Sequence, residues 1–222
     1  MLHAQTPIKS SEVDNNYLED QFYLGLTYNL MLDQPEAITQ RNFSYGLKGG
    51  FIKDIPLNSQ RNFGLGIGIG YAVNSYYSNL IATQTAAAIT YFAASDNTSF
   101  NRSKLETHAM ELPLEVRWRN STALEYKFFR LYSGIKVSYN FAQRSKLVVG
   151  DNNDVASLSS NAFSNTDIES LQYGLTLNLG YNTFNLGVYY GLNNFFKKGT
   201  ILDTGEAIEI RPLRIGLIFY IL

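Results

Sequence analysis

The chain has 222 residues, enough for one sizeable domain, and its formal net charge of -1 excludes the broad basic surface that nucleic acid requires. It contains no Cys, which removes disulfides and thiolate chemistry, and only 2 His, which leaves little for acid-base catalysis or metal ligation. Charged residues make up 17% and aromatic residues 14%, whereas an average soluble domain carries about 25% charge.

Met1-Leu2-His3-Ala4-Gln5 reads as the tail of a cleaved secretory signal with Ala4 at the cleavage position, so export is the expectation. From Gln21 to Leu32 the residues alternate: Phe22, Leu24, Leu26, Tyr28, Leu30 and Leu32 on one face, Tyr23, Gly25, Thr27 and Asn29 on the other. That period of two is the mark of a strand. A second stripe holds Phe43, Tyr45, Leu47, Gly49 and Phe51 opposite Ser44, Gly46, Lys48 and Gly50, with a connection expected over 53–62. The third, from Phe63 to about Ser75, sets Phe63, Leu65, Ile67, Ile69 and Tyr71 against Gly64, Gly66, Gly68 and Gly70. After a long polar stretch, His108, Met110, Leu112, Leu114, Val116 and Trp118 alternate with Ala109, Glu111, Pro113, Glu115, Arg117 and Arg119. A fifth stripe carries Phe129, Leu131, Ser133, Ile135, Val137, Tyr139 and Phe141 opposite Arg130, Tyr132, Gly134, Lys136, Ser138 and Asn140. The sixth runs from Leu171 to Tyr181 and the seventh from Phe184 to Leu192, joined by a hairpin at Asn182-Thr183. Leu213, Ile215, Leu217, Phe219 and Ile221 make the eighth.

The direction of the apolar face decides between two architectures. A soluble barrel would turn it inward and leave Gly64, Gly66, Gly68, Gly70, Gln172, Gly174, Thr176, Asn178, Asn185, Gly187, Tyr189 and Gly191 to meet water, with no charge among them. Water-facing surfaces carry about 25 to 35% charge. The apolar stripe is instead continuous and has rings near its ends, at Phe22, Phe43, Phe51, Tyr71, Trp118, Phe129, Tyr139, Phe141, Tyr181 and Phe184, as the headgroup girdles of a membrane barrel require. Long polar connections at 76–104 and 142–167 fall on one side and shorter ones on the other. The sequence therefore predicts an all-β fold, a single eight-stranded antiparallel up-and-down transmembrane barrel with both termini periplasmic, an N-terminal tail over 1–19 and a barrel domain over 20–222. No run of about 18 apolar residues accompanies it, and mean hydropathy is -0.14, a test that does not detect barrel strands.

An eight-stranded barrel has an interior just wide enough for side chains to fill. The expected lumen face offers Lys48, Glu111, Glu115, Arg117, Arg119, Arg130, Lys136 and Arg214, a candidate ionic network that plugs the barrel, with Lys136 near Glu111 and Glu115. No nucleophile, base and acid constellation stands out; His108 falls on the outward stripe, and the Gly-x-Gly spacing lacks the helix a pyrophosphate needs. Asp151-Asn152-Asn153-Asp154 lacks the later ligands of a helix-loop-helix calcium site and reads as a solvated loop. The expectation is no enzyme activity, no cofactor and no metal.

Glu111-Leu112-Pro113-Leu114-Glu115-Val116-Arg117-Trp118-Arg119, then Asn120-Ser121-Thr122 and Tyr126-Lys127-Phe128-Phe129-Arg130-Leu131-Tyr132-Ser133-Gly134-Ile135-Lys136, resembles the PorT and SprT group of outer-membrane β-barrels of the Bacteroidetes. The Leu-Pro-Leu core is shared with the broader small-barrel family of that phylum. The resemblance implies an outer-membrane component of the type IX secretion system, supporting export of proteins with a C-terminal signal and motility in gliding species. It implies outer-membrane lipid and other secretion-machine subunits as partners, and offers no catalytic residues. A free-standing barrel for adhesion, anchoring or limited solute passage, and a soluble ligand-binding barrel, are the competing readings.

Overall fold

The computed structural model describes residues 21–86, 88–95, 100–120, 129–149, 160–182 and 184–221. The expected signal remnant, the Asp151 to Asp154 loop, most of the connection over 120–128 and Thr183 lie outside these residues. Eleven strands follow in chain order: β1 (Gln21–Leu32), β2 (Tyr45–Pro56), β3 (Phe63–Tyr77), β4 (Leu80–Gln84), β5 (Ile89–Ala93), β6 (Arg102–Arg119), β7 (Phe129–Val148), β8 (Asn161–Ser164), β9 (Leu171–Tyr181), β10 (Phe184–Gly191) and β11 (Arg211–Ile221). Eight of them close a ring in the order β6-β3-β2-β1-β11-β10-β9-β7, with β7 returning to β6. Every pairing is antiparallel, and the seam between the first and last strands is a full ladder from Phe22↔Ile221 to Leu32↔Arg211. The other three are accessory: β4 pairs only with β5, and β8 extends the upper end of β7.

The apolar stripes face outward. Leu24 is 57% exposed beside Tyr23 at 5%, and Leu179 is 51% exposed beside Asn178 at 5%, so the side chains of the hydrophobic effect lie on the outside. Aromatic pairs mark both rims of this band. Phe22 and Phe51 (5.2 Å between centroids) and Phe129 and Tyr181 (4.6 Å) lie at the end with short connections. Tyr28 and Phe43 (5.3 Å) and Tyr71 and Phe141 (6.1 Å) lie at the other. From Phe63 to Tyr71 is eight residues, which at about 3.3 Å per residue and a tilt of about 40° rise about 20 Å, close to the band of about 25 Å seen in transmembrane barrels.

The glycines of β3 face the lumen because its large side chains lie against them. A Cβ on Gly66 would sit 2.8 Å from Nε of Arg117, one on Gly68 2.7 Å from Cγ1 of Ile52, and one on Gly50 of β2 2.7 Å from the Tyr23 hydroxyl. The bare face is thus the space into which neighbouring side chains fold.

Two expectations need correction. The second strand does not stop at Phe51: β2 continues to Pro56, so the connection is 57–62 and not 53–62, and Asp54 points into the lumen, 1% exposed. Nor are the long connections simply polar. The outer-loop segments 33–44, 78–101, 149–170 and 192–210 supply Ile38, Leu80, Ala82, Tyr91, Ile168, Phe195, Phe196, Leu202, Ile208 and Ile210, which join Met31, Tyr76 and Leu105 of the strands in one buried apolar cluster over the barrel mouth. Tyr91 stitches three of the segments: its hydroxyl donates to Asn165 Oδ1 (2.8 Å), contacts Asp167 Oδ2 (3.1 Å), and its ring meets Phe196 edge-on at 5.4 Å. Burial pushes that hydroxyl well above its ordinary pKa. The outer loops form a folded cap.

Gly66→Val should lower barrel stability by about 1 to 3 kcal/mol through overpacking against Arg117, read as an earlier urea midpoint in detergent micelles. Phe196→Ala should cost the cap about 3 to 5 kcal/mol, so added protease cuts within 192–210 while the heat-sensitive electrophoretic migration of the closed barrel persists.

Candidate functional site

The lumen is a stack of paired charges. At the short-connection end, Asp54 of β2 accepts from Nη1 of Arg119, and Nη1 of Arg117 lies 3.8 Å from the same carboxylate oxygen. Arg119 also donates through Nε to the Arg61 carbonyl (2.9 Å), which ties the turn over 57–62 to β6. Arg117 is buried between rings, with its guanidinium carbon 4.2 Å from the Tyr132 centroid and 5.5 Å from that of Tyr220. Its Nε reaches Glu115 Oε2 at 3.3 Å, and its Nη1 reaches Gln21 Oε1 at 3.3 Å across the barrel. Glu115 accepts in turn from Asn178 Nδ2 at 3.1 Å.

One layer higher, register places Lys136 opposite Pro113, between Glu111 and Glu115. Its Nζ pairs with Glu111 Oε1 at 2.8 Å, and Nη1 of Arg214 approaches the same oxygen at 3.7 Å. The Tyr189 ring lies 4.7 Å from both Lys136 Nζ and the Arg214 guanidinium carbon. Arg214 then donates through Nε to the Tyr76 hydroxyl at 2.9 Å, and the Tyr76 ring packs edge-on against Phe195 of the cap at 5.1 Å. The ionic stack and the apolar cap meet at Tyr76.

Three lumen carboxylates, Asp54, Glu111 and Glu115, face six cations, Lys48, Arg117, Arg119, Arg130, Lys136 and Arg214. Ring faces of Tyr132, Tyr220 and Tyr189 take up part of the excess, since a desolvated cation over an aromatic face gains about 2 kcal/mol. Lys48 lines two water-sized cavities beside Glu111 and Lys136. Arg130 is half-buried at the rim, opposite Arg119 in the ladder. Asp54 is the member that the stripe reading missed. Carrying the period of two from Lys48 and Gly50 through Ile52 reaches it, but Lys53, polar on the outward face, interrupts the apolar pattern first.

His108 lies on the outer wall with its Nδ1 2.6 Å from the Tyr71 hydroxyl and its ring 6.4 Å from Phe141, at the upper girdle. Among the described residues, no group of three or more His, Cys, Asp or Glu side chains is arranged to hold a metal ion.

A closed antiparallel ring, greasy outside between two aromatic girdles and filled with paired charge inside, defines an integral membrane β-barrel. Residues 3–197 match the outer membrane protein β-barrel domain family, and the chain belongs to that family. Its place is the outer membrane. The chain matches no curated protein.

Removing one member of the central pair leaves the other charged and buried. Lys136→Met should therefore lower stability in urea unfolding, and adding Glu111→Gln should cost less than the sum of the two single changes, with part of its own cost remaining because Arg214 also faces Glu111; additive losses in this double-mutant cycle would show that the two side chains are not coupled.

Proposed function

We propose that the protein is a non-enzymatic component of the type IX protein secretion system, brought to the outer membrane by an N-terminal signal and acting through contacts with other subunits of that machine. The observation that carries this reading is the stretch from Glu111 to Lys136, whose resemblance to the PorT and SprT group covers the lumen residues Glu111, Glu115, Arg117, Arg119 and Lys136 and the rim residue Arg130. In this reading the lumen network is structural, a plug. Large buried side chains along the axis and a packed cap above them favour action by surface contact over conduction. The surfaces available for contact are the cap, the short turns and the lipid-facing wall.

Deletion of the gene should abolish export of proteins bearing the C-terminal signal, and in a gliding species motility, with both restored by the intact chain. Secretion-machine subunits should co-purify from outer membranes solubilised in mild detergent. Intact export after deletion overturns the proposal. Discrete conductance steps from the purified barrel in planar bilayers would instead favour a free-standing barrel for limited solute passage.

A further inference from the structure

Two barrel strands outrun the membrane band. Above the girdle residues His108 and Phe141, β6 continues to Arg102 and β7 to Val148, paired to each other throughout. Six residues beyond His108, at about 3.3 Å each and a tilt of about 40°, carry this hairpin about 15 Å past the girdle, through the layer where lipid headgroups lie. Its outward face is basic. On β6 it presents Arg102, Lys104 and Glu106, and on β7 Arg144 and Lys146, with Lys104 directly opposite Lys146 and Glu106 opposite Arg144.

Like charges facing each other across a ladder are destabilising. The single carboxylate does not balance the four cations, because Glu106 is already held by Lys104 Nζ, by Ser75 Oγ at 3.3 Å and by His108 Nε2 at 3.6 Å. Flanking strands add no acid: Tyr77 and Ser75 of β3 lie beside Lys104 and Glu106, and Ala162 and Ser164 of β8 lie beside Lys146 and Arg144. Arg102, Arg144 and Lys146 are exposed. Directly below, the Tyr71, His108 and Phe141 rings form a platform, and beneath it Met110, Leu112, Ile135 and Val137 offer an apolar wall to acyl chains.

We propose that this hairpin is a binding site for a phosphorylated lipid headgroup of the outer leaflet, with Arg102, Arg144 and Lys146 gripping the phosphate and the wall below holding the acyl chains. The order of the parts matches such a lipid from head to tail: cations, amphipathic rings, aliphatic wall. Arginine forks suit phosphate in two-point contact, and the exposed Ser164 supplies a neutral hydroxyl group beside Arg144. The site depends on the barrel standing in the outer membrane and is independent of any role in secretion.

The test uses the full chain refolded in neutral detergent, with bis-phosphorylated lipid A as probe and native mass spectrometry as readout. The wild type should retain lipid A. The triple variant Arg102→Gln, Arg144→Gln and Lys146→Gln should bind it at least about tenfold more weakly, since each lost charge-assisted contact removes a large part of the headgroup affinity. Lys146→Glu alone, a single exposed change, should weaken it severalfold and serves if the triple variant does not fold. Changing the exposed cap residues Lys197→Gln and Lys198→Gln together should leave binding unaltered. Undiminished lipid A on the folded triple or Lys146→Glu variant overturns the proposal. So does equal retention of fully dephosphorylated lipid A, which would mean apolar adhesion only, or full displacement by millimolar inorganic phosphate, which would mean a site for the free anion.

Discussion

A backbone amide or carbonyl left unpaired in hydrocarbon costs several kcal/mol, and the ladder of this molecule is closed because of it. The seam from Phe22↔Ile221 to Leu32↔Arg211 is where the sheet would otherwise have two raw edges. Closure at eight strands leaves a lumen of side-chain width, and the remaining features follow. Large residues reach the axis only where a facing strand gives up its own, so Arg117 lies against Gly66 and Tyr23 against Gly50. Charges buried at the axis must find partners, so Asp54 meets Arg119 and Glu111 meets Lys136.

Alternation was enough to place most of this from sequence. Period two is a property of the strand itself, so the outward stripes, the inward glycines and the facing of Glu111, Glu115, Arg117 and Lys136 can be read one residue at a time. The direction of the stripes followed from what the opposite face lacked, namely charge. What escaped were contacts between parts of the chain that no local period relates. Arg117 and Gln21 are 96 residues apart, and Tyr91 and Asn165 are 74 apart. The apolar residues of the cap come singly or in pairs, as in Phe195-Phe196, and serve a cluster assembled from four segments, so they give no stripe. Asp54 escaped for a smaller reason, a lysine on the lipid-facing side near the rim, where its long stem can reach water.

The lumen and the cap are built from opposite chemistry and share a residue. Tyr76 gives its ring to the apolar cluster and its oxygen to Arg214, so the packing of the outer loops and the orientation of the ionic stack constrain each other. Arg214 in turn lies on the last strand and is itself a rung of the seam, paired with Asn29. Disturbance in the cap therefore has a direct mechanical line to the strand pair that closes the barrel, carried by two contacts.

The cap also bears on the order of events in assembly. Its cluster draws on segments spread from Met31 to Ile210, which come together only when the strands between them are in place. Those segments must cross the bilayer before they can pack, and once packed they hold a buried apolar cluster together on the far side. Withdrawal then requires the cap to unfold first, which puts its stability into the barrier for leaving the membrane and leaves the entry step untouched. The folded loops work as a one-way catch: insertion is completed on the far side, and the barrel's residence time is set there.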